Sequence, residues 1–234
     1  MLRDMKALIH YFIADYRFSF IVFFSIMSAS LAGFTIVSIF MEGTDIIVFT
    51  GPIVLIFAAI SGFYMTKETF PFCIRLGITR GRYVAGAGIF ILLLSLALST
   101  VHFVLNRIFS AILEVSNYTS ITHYTMLNLL HLENTVLNEI GLLAAFSFLV
   151  LSVSFLLGSI FYRYGMVGGF ITLSVLFIIL AAPATRQPLI DMFLIVQESA
   201  IEFRYWALLL FPLLAFLPNW TLLRKATTIA ARAR

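Results

Sequence analysis

Six apolar stretches of this chain contain no Asp, Glu, Lys or Arg: residues 18–41, 46–66, 83–106, 140–162, 164–185 and 205–223; residues 115–132 are also uncharged but too polar for a span and read as loop. The six hold 24, 21, 24, 23, 22 and 19 residues, and about 20 apolar residues in a helix cross the hydrocarbon of a bilayer. A charged side chain is costly at mid-bilayer, so charges tend to fall outside the spans and mark their ends. The expected fold is therefore all-α and polytopic, a single transmembrane domain of six transmembrane helices. A soluble globule carries about 25% charged residues, and this chain of 234 carries 11%, with 62% hydrophobic. Six spans leave room only for loops and ends, so a sizeable extramembrane domain is also excluded.

With six spans both termini share a side, and Lys and Arg collect on the cytoplasmic side. That side would hold Arg3, Lys6, Arg17, Lys67, Arg75, Arg80, Arg82, Arg163, Arg224, Lys225, Arg232 and Arg234 against Asp4, Asp15 and Glu68. The opposite side would hold Arg107, Arg186 and Arg204 against Glu42, Asp45, Glu114, Glu133, Glu139, Asp191, Glu198 and Glu202. Both ends are thus expected in the cytoplasm. The basic residues are spread over four juxtamembrane segments, which suits topology and anionic membrane lipid better than nucleic acid.

Residues 1–17 read as an amphipathic helix, with Met5, Leu8, Ile9, Phe12 and Tyr16 at helical spacing, expected to lie flat on the inner membrane surface. The first apolar run is longer than the 7–15 residues of a signal peptide core, so it is expected to remain as a span. Within it Ser25, Ala29 and Gly33 form a small-xxx-small stripe that allows close helix approach, either to a second subunit or to another helix of the same chain. Ala85, Gly86, Ala87 and Gly88, and Gly165, Gly168 and Gly169, offer similar stretches.

The spans lack the ionisable residue that ion-coupled pumps and transporters use as a relay. His102 reads as an interfacial residue near the outer end of the third span. His10, His102, His123 and His131 are too scattered for a zinc site, and Cys73 is the only cysteine. No metal site, no catalytic residue and no cofactor is expected in this chain. Its sequence contains no H-E-x-x-H, no G-x-S-x-G and no phosphate-binding G-K, so it is not read as an enzyme.

The strongest local signal lies between the second and third runs, from Lys67 to Arg82. Pro71 suits the first turn of a helix, and Gly77 suits the left-handed position just past the last turn. About two turns fit between them. Phe70, Phe72, Ile74 and Leu76 give this short helix much apolar surface, ringed by Arg75, Arg80 and Arg82. Such a surface needs a partner or the lipid interface.

The run from Glu68 through Phe70, Pro71, Phe72, Arg75, Gly77, Thr79, Arg80, Arg82 and Tyr83 to Gly86 resembles the "FPF…GxTR…Y…G" segment of permease subunits in type-2 ATP-binding-cassette exporters. In that family the segment is a coupling helix that docks on a separate ATPase. The resemblance therefore implies that Glu68, Phe70, Pro71, Phe72, Arg75, Gly77, Thr79, Arg80 and Arg82 form an ATPase-coupling loop. It implies two copies of a P-loop ATPase partner, which carry ATP and magnesium, and a second permease subunit, identical or related. It implies a bacterial plasma membrane, and a path for amphipathic or hydrophobic cargo such as peptides. Before the last span, Pro183 and Pro188 bracket a turn, followed by an apolar segment from Leu189 to Val196, with Asp191 and Phe193 in it, too short to cross; it resembles the family's re-entrant outer helices. The loop from about 107 to 139 is longer than the family leads one to expect.

Readings from other classes stay open. A substrate-binding membrane subunit of an importer would place polar side chains near the outer half of its spans. A non-transporting scaffold or immunity protein would keep its activity when Arg75 and Arg80 are changed. An intramembrane enzyme would need a nucleophile and base, which spacing does not supply.

Overall fold

In a computed structural model the described residues are 2–40, 46–115, 121–127, 135–183, 185, 188, 194–197, 200–203 and 205–224. Six α-helices follow in order: α1 (Leu2–Phe40), α2 (Gly51–Tyr64), α3 (Phe70–Arg75), α4 (Arg80–Val115), α5 (Val136–Ala181) and α6 (Tyr205–Arg224). A π-helical turn, Met65–Thr69, joins α2 to α3 without a break. Among the described residues four helical segments are long and apolar enough to cross a membrane, and Leu209–Arg224 is a shorter apolar one. The chain is accordingly an all-α membrane protein.

Helix α1 joins two elements that the sequence reading separated. It runs unbroken for 39 residues, about 58 Å at 1.5 Å per residue against a hydrocarbon core of about 30 Å. The cause is a single stripe: buried Leu8, Phe12, Tyr16, Phe24, Met27 and Leu31 recur at helical spacing on both sides of Arg17, with no Gly or Pro between to end the helix. The apolar face expected on the membrane surface is instead packed on α4. Leu8 sits where a Cβ on Gly86 would come within 2.4 Å. Phe12 stacks on Phe90 at 5.0 Å and meets Tyr83 edge-on at 5.7 Å.

Helix α5 has the opposite history. It spans 46 residues but is interrupted at Gly165, with φ 72° and ψ −169°, a region open to glycine and closed to residues with a Cβ. The Phe161 and Phe170 rings lie 5.9 Å apart across this bend. Nine residues along an unbroken helix would separate them by about 13.5 Å. The second arm thus folds back on the first, and Gly169 makes room for it, since a Cβ there would meet the Phe161 ring at 2.3 Å.

Helices α2 and α5 pack backbone to backbone. A Cβ on Gly62 would lie 2.5 Å from the Leu151 carbonyl oxygen, and one on Gly158 would lie 2.9 Å from that of Phe63. The core spreads from this contact through Val54, Ala58, Ile91, Leu98, Leu151 and Phe155.

Helix α4 continues to Val115, beyond the expected span end at 106. There Arg107 pairs with Glu139 of α5 at 3.6 Å and lies over the Phe103 ring. Among the described residues there are also two short strand pairs. Ile46–Val48 (β1) pairs in parallel with Ile121–His123 (β2), and Leu194–Gln197 (β3) pairs antiparallel with Ala200–Phe203 (β4). The stretch from Leu194 to Val196, expected within a re-entrant helix, is therefore a strand; the β-branched Ile195, Val196 and Ile201 favour the pleated form. Pro183 and Pro188 are described and exposed, while Asp191 and Phe193 lie outside the described residues.

Candidate functional site

The sequence's strongest segment lies where α3 meets the first turns of α1 and α4 and the end of α6. Pro71 has no N–H to offer the carbonyl of Lys67, so the helix cannot close its usual bond there. One π turn absorbs the mismatch: the Phe70 N–H bonds to the carbonyl of Met65, five residues back. Tyr83, fully buried on α4, donates its phenol to the same carbonyl.

The far end of α3 closes as its sequence predicts. Gly77 takes φ 86°, its N–H bonds to Ile74 O at 3.0 Å, and the Ile78 N–H bonds to Cys73 O at 3.1 Å. This double bond around a left-handed glycine is the Schellman arrangement, which satisfies the last carbonyls of a helix.

The π turn fixes which side chains face inward. Phe70 is fully buried, meeting Tyr83 and Tyr162 edge-on at 5.1 and 5.3 Å. It offers no surface to a partner, in contrast to the role the resemblance implied for it. Cys73 is also buried, and desolvation first, then the Asp15 charge, pushes its thiol up to about 11. Tyr11 is raised for the same first reason, with Asp15 adding to it. Phe72 and Leu76 face outward at 47% and 63% exposure. Lys67, Glu68, Arg75, Thr79 and Arg82 are exposed around them.

This outward face is held from two sides. On one, Phe72 stacks on Tyr11 of α1 at 5.5 Å and 19°, and Thr69 donates to the Asp15 carboxylate at 3.3 Å. On the other, Arg80 donates to the main-chain carbonyl of Arg224, at the end of α6. Trp220 covers Gly81, where a Cβ would come within 2.5 Å of its ring. Arg80 is thus a cap for the last helix, a use that its place in the motif did not reveal.

The stripe on α1 has a different setting. Ser25 and Ala29 are exposed, and nothing lies within 4 Å of a Cβ built on Gly33. Among the described residues no helix of the same chain covers Gly33. By contrast, Gly86 and Gly88 of α4 are occupied by Leu8 and Phe216.

Sequence reasoning missed a buried polar cluster. His102, read as interfacial, is 6% exposed, with its Nε2 2.8 Å from Thr50 Oγ1. Thr50 donates to Asn106 Oδ1 at 3.3 Å. The signal available was the i, i+4 spacing of His102 and Asn106, which puts both on one face of α4. A second cross-link joins Ser159 to Asn219 at 2.6 Å. Ser147 and Ser152 are fully buried and have no hydrogen-bond partner among the described residues. Among the described residues no group of three His, Cys, Asp or Glu side chains could hold a metal.

No family model matches the chain, and neither a curated protein nor a solved structure matches it.

Proposed function

We propose that the chain crosses the plasma membrane six times, with both ends in the cytoplasm, and serves as the permease subunit of an ATP-driven exporter. The two arms of α5 on either side of Gly165 supply the fourth and fifth spans, and α6 the sixth. Arg163, beside the bend, then lies on the inner side with the other basic loops, as the distribution of Lys and Arg requires.

One observation carries the functional reading: the outward face of α3, where Phe72 and Leu76 stand exposed among Arg75, Arg82 and Lys67. Apolar side chains ringed by cations beyond the end of a span suit a groove on another protein. The face is coupled to the rest of the chain through Tyr11 and Asp15 of α1 and through Arg80 and Arg224. Force applied to α3 therefore reaches the first and last helices together. The spans contain no ionisable relay, so energy has to come from a partner, and a pair of ATPase subunits closing on ATP is the source that fits.

One copy lines half a path. The uncovered Ser25, Ala29 and Gly33 face supports pairing with a second permease, since small residues let helices approach closely in lipid. A Phe-rich path suits amphipathic or hydrophobic cargo. ATP and magnesium would act on the ATPase, leaving this chain no catalytic residue.

Phe72→Asp tests the reading. It places a carboxylate on an exposed apolar face, so membrane insertion should persist while association with the ATPase is lost. Retained association would remove α3 from the coupling role and favour a scaffold or immunity protein.

A further inference from the structure

The two arms of α5 and the second half of α6 line an open groove of about 590 Å³ that plays no part in the reading above. Leu156, Ile160, Ile171 and Leu222 give it apolar walls. Its hydroxyl groups are already committed, because Thr172 donates to Gly168 O at 2.9 Å and Thr221 to Pro218 O at 2.8 Å. The slot therefore offers no free threonine donor to a polar ligand, and its volume falls in the range of small-molecule sites. It opens outward where Val167 and Ile171 are 73% and 60% exposed.

Charge enters at one end only. Tyr164 lines the groove, and the Arg163 guanidinium sits over its ring at 5.0 Å from the centroid. That stacking holds the planar group in place without using its hydrogen-bond donors. Among the described residues Arg163 has no carboxylate within 4.0 Å. An open apolar slot with an arginine stacked on a residue of its wall matches one kind of molecule: an apolar chain ending in an anion.

We infer that this groove is a binding site for an anionic phospholipid of the inner leaflet, with an acyl chain between the α5 arms and α6 and the phosphate at Arg163. Basic residues at the cytoplasmic ends of helices select such headgroups. The inference rests on the membrane topology proposed above but not on transport or on an ATPase.

The test is native mass spectrometry of the full chain in mild detergent, with phosphatidylglycerol or phosphatidylcholine of identical acyl chains added. One phosphatidylglycerol should be retained per chain, about tenfold in preference to phosphatidylcholine. Arg163→Gln should reduce that retention about tenfold, and Arg163→Lys should restore most of it. Ile171→Trp, which changes an exposed side chain and fills the slot, should reduce retention of both lipids and keeps the test valid should Arg163→Gln misfold. Inorganic phosphate at the same concentration should not displace the lipid. Equal retention of the two lipids, full retention in Arg163→Gln or in Ile171→Trp, or displacement by phosphate would overturn the assignment. So would a lipid-free two-chain species, which would mean that a second copy fills the slot. Correct insertion alongside any of these results would show that the lipid site failed and the topology did not.

Discussion

Small residues in two parts of the molecule end in opposite settings. Gly62 and Gly158 sit at a close contact between α2 and α5, where each missing Cβ lies against a carbonyl oxygen of the facing helix. Ser25, Ala29 and Gly33, four residues apart along α1, face outward, with open space at Gly33. Small spacing therefore tells where a backbone can approach; the neighbour that approaches is decided by the rest of the fold. In the first group the occupant is in the chain, and in the second the account assigns it to another copy.

Substitutions separate the two groups by size of effect. Gly158→Val should be the most damaging, because backbone cannot yield as a side chain can; a loss at or above the top of the usual overpacking range of about 1–3 kcal/mol is expected, read as a lower unfolding midpoint in detergent. Tyr83→Phe should cost about 1 kcal/mol by the same measurement, since the Met65 carbonyl keeps its bond from the Phe70 N–H. Gly33→Leu should change the monomer's stability by no more than about 0.5 kcal/mol. Yet it should shift the two-chain species to single chains in cross-linking. Destabilisation by Gly33→Leu comparable to that by Gly158→Val would erase the distinction.

A smaller effect sharpens the view of the inner junction. Cys73 is the sole cysteine, and its thiol is raised to about 11. A raised thiol is protonated at neutral pH, so the reactive thiolate grows about tenfold per pH unit up to that value. Maleimide labelling of the folded chain should be slow at pH 7 and keep rising past pH 9. An exposed cysteine would level off near its ordinary value of about 8.5.

Much of the local design was legible. Pro71 and Gly77 marked the two ends of α3, because missing N–H groups and left-handed backbone leave direct traces in sequence, whereas Arg17, Arg107 and Arg163 fall inside helices rather than at their ends. The phase of α3 was not legible. A π turn adds one residue to the helix and rotates the residues beyond it by about 100°, which decides that Phe70 faces in while Phe72 faces out. The continuity of α1 was hidden by Arg17, a charge that does not break a helix. Arg80 and His102 depend on partners 144 and 52 residues away, beyond the reach of local pattern. The β3–β4 pairing likewise needed both strands to be seen together.

The most direct test of the permease reading is to extract the tagged chain from its host in mild detergent, identify stoichiometric partners by mass spectrometry and assay ATP hydrolysis on the same sample. The account predicts a P-loop ATPase in roughly equal amount, with activity that leaves the sample when Phe72→Asp is used. A chain that purifies alone, or with an unrelated partner and no ATP hydrolysis, would contradict it.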